Sequence, residues 1–231
     1  MGQSLASPNM KQLLLILAVV MSQSVLAADK KPSTKEESAK VIEAAIRKAA
    51  KKPTGELTKA DYEKVTRMNL ENNQLTDVKG LEKLTKLTWL RLYDNKLTSV
   101  KGLEKLTQLK VLTLNHNQLT DVKGLEKLTK LDELWLHHNQ LTDVKGLEKL
   151  TQLEWLNLDG NKLTDVKGLE KLDQLTHLEL SDNQLTDVKA LEKLTHLKTL
   201  WLTDNPALTK AQIAELKKAL PKCNIFSNPK K

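Results

Sequence analysis

The side chains able to do chemistry in this 231-residue chain recur in step. His116 and His138 stand 22 residues apart, as do His137 and Asp159, and Trp155 and His177. Imidazole and carboxylate together are the donor set of a metal site or an acid–base pair. The same residues suit the polar face of a strand, and that reading is carried forward: no metal and no cofactor is expected. The chain has no HExxH, no GxSxG, no Walker loop and no dinucleotide glycine fingerprint. Its single cysteine, Cys223, excludes a disulfide framework and a cysteine metal cluster.

The step of 22 belongs to the whole chain. Asn73, Asn95, Asn117, Asn139, Asn161, Asn183 and Asn205 lie 22 residues apart in the same phrase. Around Asn95 the phrase runs Leu87, Leu90, Leu92, Asn95, Leu97, Val100, Leu103, Leu106. A fixed period of this size marks a stacked-repeat solenoid. Apolar residues alternate near Leu90 and Leu92, which is strand periodicity. They then recur every third residue, which suits a tight 3₁₀-like return. One such coil cannot bury its own apolar side chains, but stacked coils bury each other's. The Asn amide both donates and accepts, so the column can satisfy loop backbone of adjacent coils. Gly80, Gly102, Gly124, Gly146 and Gly168 form a turn column in which Ala190 replaces the sixth glycine. Ala190 implies that a left-handed backbone is not essential in that unit.

The phrase resembles the leucine-rich repeat family, in the 22-residue class seen in bacterial internalins, over residues 65–206. The resemblance implies an α/β horseshoe, with parallel strands on the concave face and loops or 3₁₀ turns on the convex face. It also points to a bacterial source.

Outside the repeats the chain divides simply. Residues 1–27 read as a secretory signal peptide: Leu13–Val20 is apolar behind Lys11, and Val25-Leu26-Ala27 precedes a cut before Ala28. The mature chain is therefore expected to be exported, periplasmic or secreted, with no membrane insertion after cleavage. Residues 28–64 form an N-terminal cap, with a flexible start at Asp29–Lys35. Thr34 with Glu37 fits a capping box, followed by apolar residues at helical spacing. Residues 207–231 form the C-terminal cap. Thr209 with Gln212 opens its helix, Asn224–Phe226 offers a last strand, and Asn228–Lys231 reads as a disordered tail.

The net charge of +8 misleads if read whole. Residues 28–64 carry +3 and residues 207–231 carry +5, while the repeats carry −1. The convex lysines, such as Lys79 and Lys101, run beside Glu82 and Glu104 as a solvated mixed-charge face. No concentrated basic surface exists on the repeats, so nucleic acid is not an expected partner.

In a repeat fold, function is written where the repeat is broken. The third, fifth and seventh positions of each strand should line the concave face. They include Arg67, Trp89, Arg91, Tyr93, Glu133, Trp135, His137, Trp155, Asp159, His177, Glu179 and Trp201. All four tryptophans of the chain are among them. With the eighth position added, the face holds two basic and seven acidic residues. Such a face suits a basic or neutral protein or peptide partner. Binding of a carbohydrate or cell-wall glycan by the same face is the alternative. An open curve excludes water poorly, so an enzyme is not expected.

Overall fold

The computed structural model describes residues 34–228. The expected leader, residues 1–27, lies outside the described residues. Two helices precede the repeats, α1 (Lys35–Ala49) and α2 (Lys59–Glu63). Thr34 caps α1 in a reciprocal box with Glu37, so the chain is already helical at Lys35, where a flexible segment was expected. Ile42 and Ile46 face inward from α1 and close the first coil.

Seven three-residue strands follow: β1 (Arg67–Asn69), β2 (Trp89–Arg91), β3 (Val111–Thr113), β4 (Glu133–Trp135), β5 (Trp155–Asn157), β6 (His177–Glu179) and β7 (Thr199–Trp201). An eighth, β8 (Asn224–Phe226), comes after helix α3 (Lys210–Ala219). They form one parallel sheet in sequence order. The register is the repeat itself, with Leu90 opposite Leu112 and Leu112 opposite Leu134. The central residue of each repeat strand is buried while its neighbours turn outward, as alternation requires.

The threefold spacing has a direct backbone cause. Leu81, Leu84 and Leu87 donate their N–H groups to Val78, Leu81 and Leu84 in turn, and later coils repeat the chain of bonds. Each i→i−3 step returns an apolar side chain to the interior, so one leucine and valine core runs the length of the stack.

The asparagine column is internal from Asn95 to Asn205. Asn139 shows why. Its Oδ1 accepts from Leu119 N–H at 3.0 Å, and its Nδ2 donates to Leu114 and Leu136 carbonyls at 3.0 and 2.9 Å. One amide thus satisfies two coils. Asn73 departs from the expectation: it is exposed, because no repeat coil precedes it for its amide to serve.

The glycine column takes left-handed backbone at φ between +101° and +108°. Ala190 does not, and the sixth coil instead makes a longer 3₁₀ turn over Lys189–Lys193. The glutamates two residues on are not merely solvated. Gly124 N–H donates to Glu126 at 2.6 Å, and the same clasp joins Gly80–Glu82, Gly102–Glu104, Gly146–Glu148 and Gly168–Glu170. Backbone N–H groups of its own residue and of Gly146 hold the Glu148 carboxyl below its usual range.

At the far end, Leu208, Ile213, Leu216 and Leu220 complete the core. Asn228, expected in a disordered tail, is anchored: its side chain accepts from Asp204 N–H at 2.7 Å and donates to the Asp204 carboxylate at 3.0 Å.

Candidate functional site

The strand flanks place the predicted residues on one face in three rows. Trp89, Val111, Glu133, Trp155, His177 and Thr199 form the first; Arg91, Thr113, Trp135, Asn157, Glu179 and Trp201 form the second. Tyr93, His137 and Asp159 belong to the third, two residues further along each coil.

Strand spacing brings the aromatics into contact. Trp135 and Trp155 sit one diagonal step apart and stack, with centroids 5.5 Å apart and planes 20° apart. Trp155 stacks in turn on His177 at 4.3 Å and 12°. His137 and Trp135 meet edge-on, with ring centroids 6.0 Å apart. Trp89, Trp135 and Trp155 are therefore half-buried by their neighbours rather than fully exposed. Trp201 is 39% exposed and stacks on Phe226 at 4.1 Å. Phe226 lies outside the period, and sequence reasoning had not placed it on this face. Glu133 is exposed beside the stack, opposite Trp155.

His116 and His138 lie side by side with ring centroids 4.5 Å apart, as their 22-residue spacing implies. No hydrogen bond or ion pair joins His137 and Asp159 among the described residues. His137 instead lies 5.4 Å from His116 and 5.5 Å from His138 between ring centroids. Burial, with two imidazoles close by, drives the His137 pKa down to about 4, so the ring is neutral at pH 7. No group of histidine, cysteine and carboxylate side chains among the described residues is arranged to hold a metal.

Asp159 takes the Ser181 N–H at 2.6 Å, and Asn157 donates to Glu179 at 2.7 Å. Burial pushes both carboxyl groups up, Glu179 to about 7, with the neighbouring Asp159 charge adding to the shift. Asn157 is itself buried, which the open curve did not suggest.

At the opposite end Trp89 is flanked by guanidinium groups. Arg67 and Arg91 lie over its ring at 4.6 and 4.5 Å from the centroid. Arg91 also faces the Glu71 carboxylate at 3.8 Å. Glu71 holds the Tyr93 hydroxyl above its usual pKa range.

The eighth position is dictated by backbone. Asn72, Asp94, His116, His138, Gly160, Asp182 and Asp204 all take left-handed φ, between +52° and +61°. Asn, Asp, His and Gly are the residues that tolerate it. Three of the seven acidic residues counted on the concave face are therefore chosen at least partly by the turn.

Among the described residues, the buried side-chain polar atoms Glu71 Oε2, Thr113 Oγ1, His137 Nδ1 and Trp155 Nε1 lie beyond hydrogen-bond distance of a partner. All four belong to concave-face columns. The hollow of about 450 Å³ beside α1, lined by Ile42, Ile46, Arg47, Leu57, Tyr62 and Lys83, lies away from this face.

A parallel, in-register stack of 22-residue coils is the architecture of repeat proteins. A leucine-rich repeat model, describing two copies at a time, matches residues 85–127, 107–149, 129–171 and 173–218, and the chain belongs to that family. It is similar to internalin C2 of Listeria monocytogenes, with 30% identity and a TM-score of 0.75 over 80% of this chain and 81% of that one. It is also similar to a leucine-rich repeat protein of Leptospira interrogans, at 38% identity and a TM-score of 0.61, covering 66% of this chain and 40% of that one. Among curated proteins none matches. Leucine-rich repeat folds commonly mediate protein–protein interaction.

Proposed function

We propose that the chain is an exported, non-enzymatic interaction module whose concave face binds a protein or peptide of basic or neutral character. The observation that carries the reading is the placement of the unpartnered polar atoms. Buried polar groups are normally hydrogen-bonded. Here the exceptions, Thr113 and His137 among them, gather on the face that carries the aromatic stack. A partner laid along the rows supplies the missing groups and covers the rings.

Glycan is the weaker alternative. Sugars stack on open aromatic faces, and Trp155 lies stacked between Trp135 and His177. The export reading rests on the apolar run and cut site at the start of the sequence. Within the described residues no helix is long and apolar enough to cross a membrane.

The test is partner capture by crosslinking from secreted and periplasmic fractions, then titration of the captured protein. Trp135→Ala or Trp155→Ala should weaken binding by more than about thirtyfold, the loss typical of a central aromatic anchor. The convex variant Lys123→Ala should bind normally. Normal binding by both tryptophan variants would refute the concave-face reading, and a glycan-array signal lost with the same variants would replace protein by carbohydrate.

A further inference from the structure

The two ends of the concave face present related chemistry, once with a cation and once without. In coils one and two a guanidinium, a tryptophan and a carboxylate come together: Arg91 lies 4.5 Å over Trp89 and 3.8 Å from Glu71. In coils five to seven the tryptophan and carboxylates recur. Glu179 sits in the row between Asn157 and Trp201. Asp159 is close enough for its charge to act on Glu179. Trp201 gives one face to Phe226, on the side away from Glu179, and remains 39% exposed. No lysine, arginine or histidine forms an ion pair with Asp159 or Glu179 among the described residues.

We infer that the part of the face between Trp201 and the Asp159–Glu179 pair receives an arginine side chain of the partner. A guanidinium there lies against the exposed indole, as Arg91 lies on Trp89, and meets a buried carboxyl pair that has His138 and Asp182 near Asp159 but no ion-paired cation. Trp155 supports the assignment. Its indole N–H is directed towards Glu179 closely enough to favour the charged form of that carboxyl, the form a cation needs. Arginine fits better than lysine because a planar fork can meet two carboxylates and an aromatic face together. The empty pair holds a proton near neutrality, so arrival of the cation releases it and binding strengthens as pH rises through about 7.

This inference rests on the concave-face reading. The test uses the whole chain with indole ¹⁵N labels, titrated in low salt with acetyl-arginine methylamide and its lysine and citrulline counterparts. The arginine probe should shift the Trp201 and Trp155 indole signals saturably, more tightly at pH 8 than at pH 6. Lysine should bind more weakly, and citrulline, which has the shape without the charge, should not bind. Glu179→Gln and Trp201→Leu should each weaken the arginine probe by about fivefold or more, the scale of a lost ion pair or cation–π contact. Undisturbed Trp135 and Trp89 signals in each variant would show that the face remains folded. Equal shifts with citrulline, or full affinity in Glu179→Gln, would overturn the assignment. A captured partner that requires Trp135 but ignores Glu179→Gln overturns this inference alone; one indifferent to both overturns the concave-face reading as well.

Discussion

The imidazole of His138 occupies the space that a side chain at position 160 would need. A Cβ built on Gly160 collides with His138 Nδ1, and Gly160 is the sole glycine of the eighth column. The ring thereby lies over coil five while packing at a tilt against His116, with centroids 4.5 Å apart. Gly160→Ala should displace His138 and strain a backbone at φ +61°, costing about 1–3 kcal/mol. Chemical denaturation measures the cost, and the His116 and His138 ring resonances report the displacement. An unchanged midpoint with unmoved histidine signals would contradict this packing.

The asparagine ladder predicts a contrast between two equivalent letters of the sequence. Asn139→Ala strands the Leu119 N–H in the interior and takes one of two amide donors from each of the Leu114 and Leu136 carbonyls, which keep Asn117 and Asn161. A buried backbone N–H without a partner costs about 1–3 kcal/mol, so the variant should lose about that much. Asn73→Ala, at an exposed position, should lose under about 1 kcal/mol. Equal losses in the two variants would show that the ladder does not hold the coils.

The glycine turns predict another asymmetry. Gly124→Ala puts a Cβ on a backbone at φ +107° and near Glu104, and should cost about 1–3 kcal/mol. Ala190→Gly has no such strain to relieve and should be close to neutral or slightly destabilising. Thermal unfolding of the two variants distinguishes them.

Stability should respond to pH in two opposing ways. Glu179 is raised from its usual 4.5 to about 7, so its contribution is full below 4.5 and is lost as pH rises through 7. His137 is lowered from 6.5 to about 4, so stability falls as pH drops from 6.5 towards 4, where the unfolded chain takes up the proton first. Glu179→Gln should therefore stabilise the protein at pH 8 and have little effect at pH 4. His137→Phe should flatten the acid side of the profile. Denaturation midpoints across pH 4–8 test both, and a pH-independent effect of Glu179→Gln would show that its carboxyl is not held protonated.

The repeat made the scaffold legible before any coordinates. Strand, return turn and buried column follow from Leu90, Asn95 and the run to Leu106, because a period of 22 admits few ways to bury the same residues in every coil. The contact of Trp135 with Trp155 was legible for the same reason: strand register fixes the diagonal. Other parts of the face were not. Asp94, Asp182 and Asp204 read as part of an acidic surface, and only the left-handed turn shows that backbone helps select them. The Gly–Glu clasp was present in the letters, as a glutamate two residues after each glycine of the turn column, but charge counting hid it among the lysines. Phe226 was invisible to periodicity because it enters from beyond the last coil. The His137 neighbourhood turned on ring orientation, which spacing does not specify.

The side-chain amide of each interior asparagine reaches only to its own coil and the one before, as Asn161 does for Leu141 and Leu136. A joint cut at the same letter of any two coils is therefore like a cut between identical bricks. Removing or duplicating 22 residues between two asparagines leaves every remaining amide with its usual partners, and moves Trp135, Glu179 and Trp201 relative to one another by whole strand spacings. Gain or loss of whole 22-residue units thus changes the span and order of the concave face without redesigning its interior.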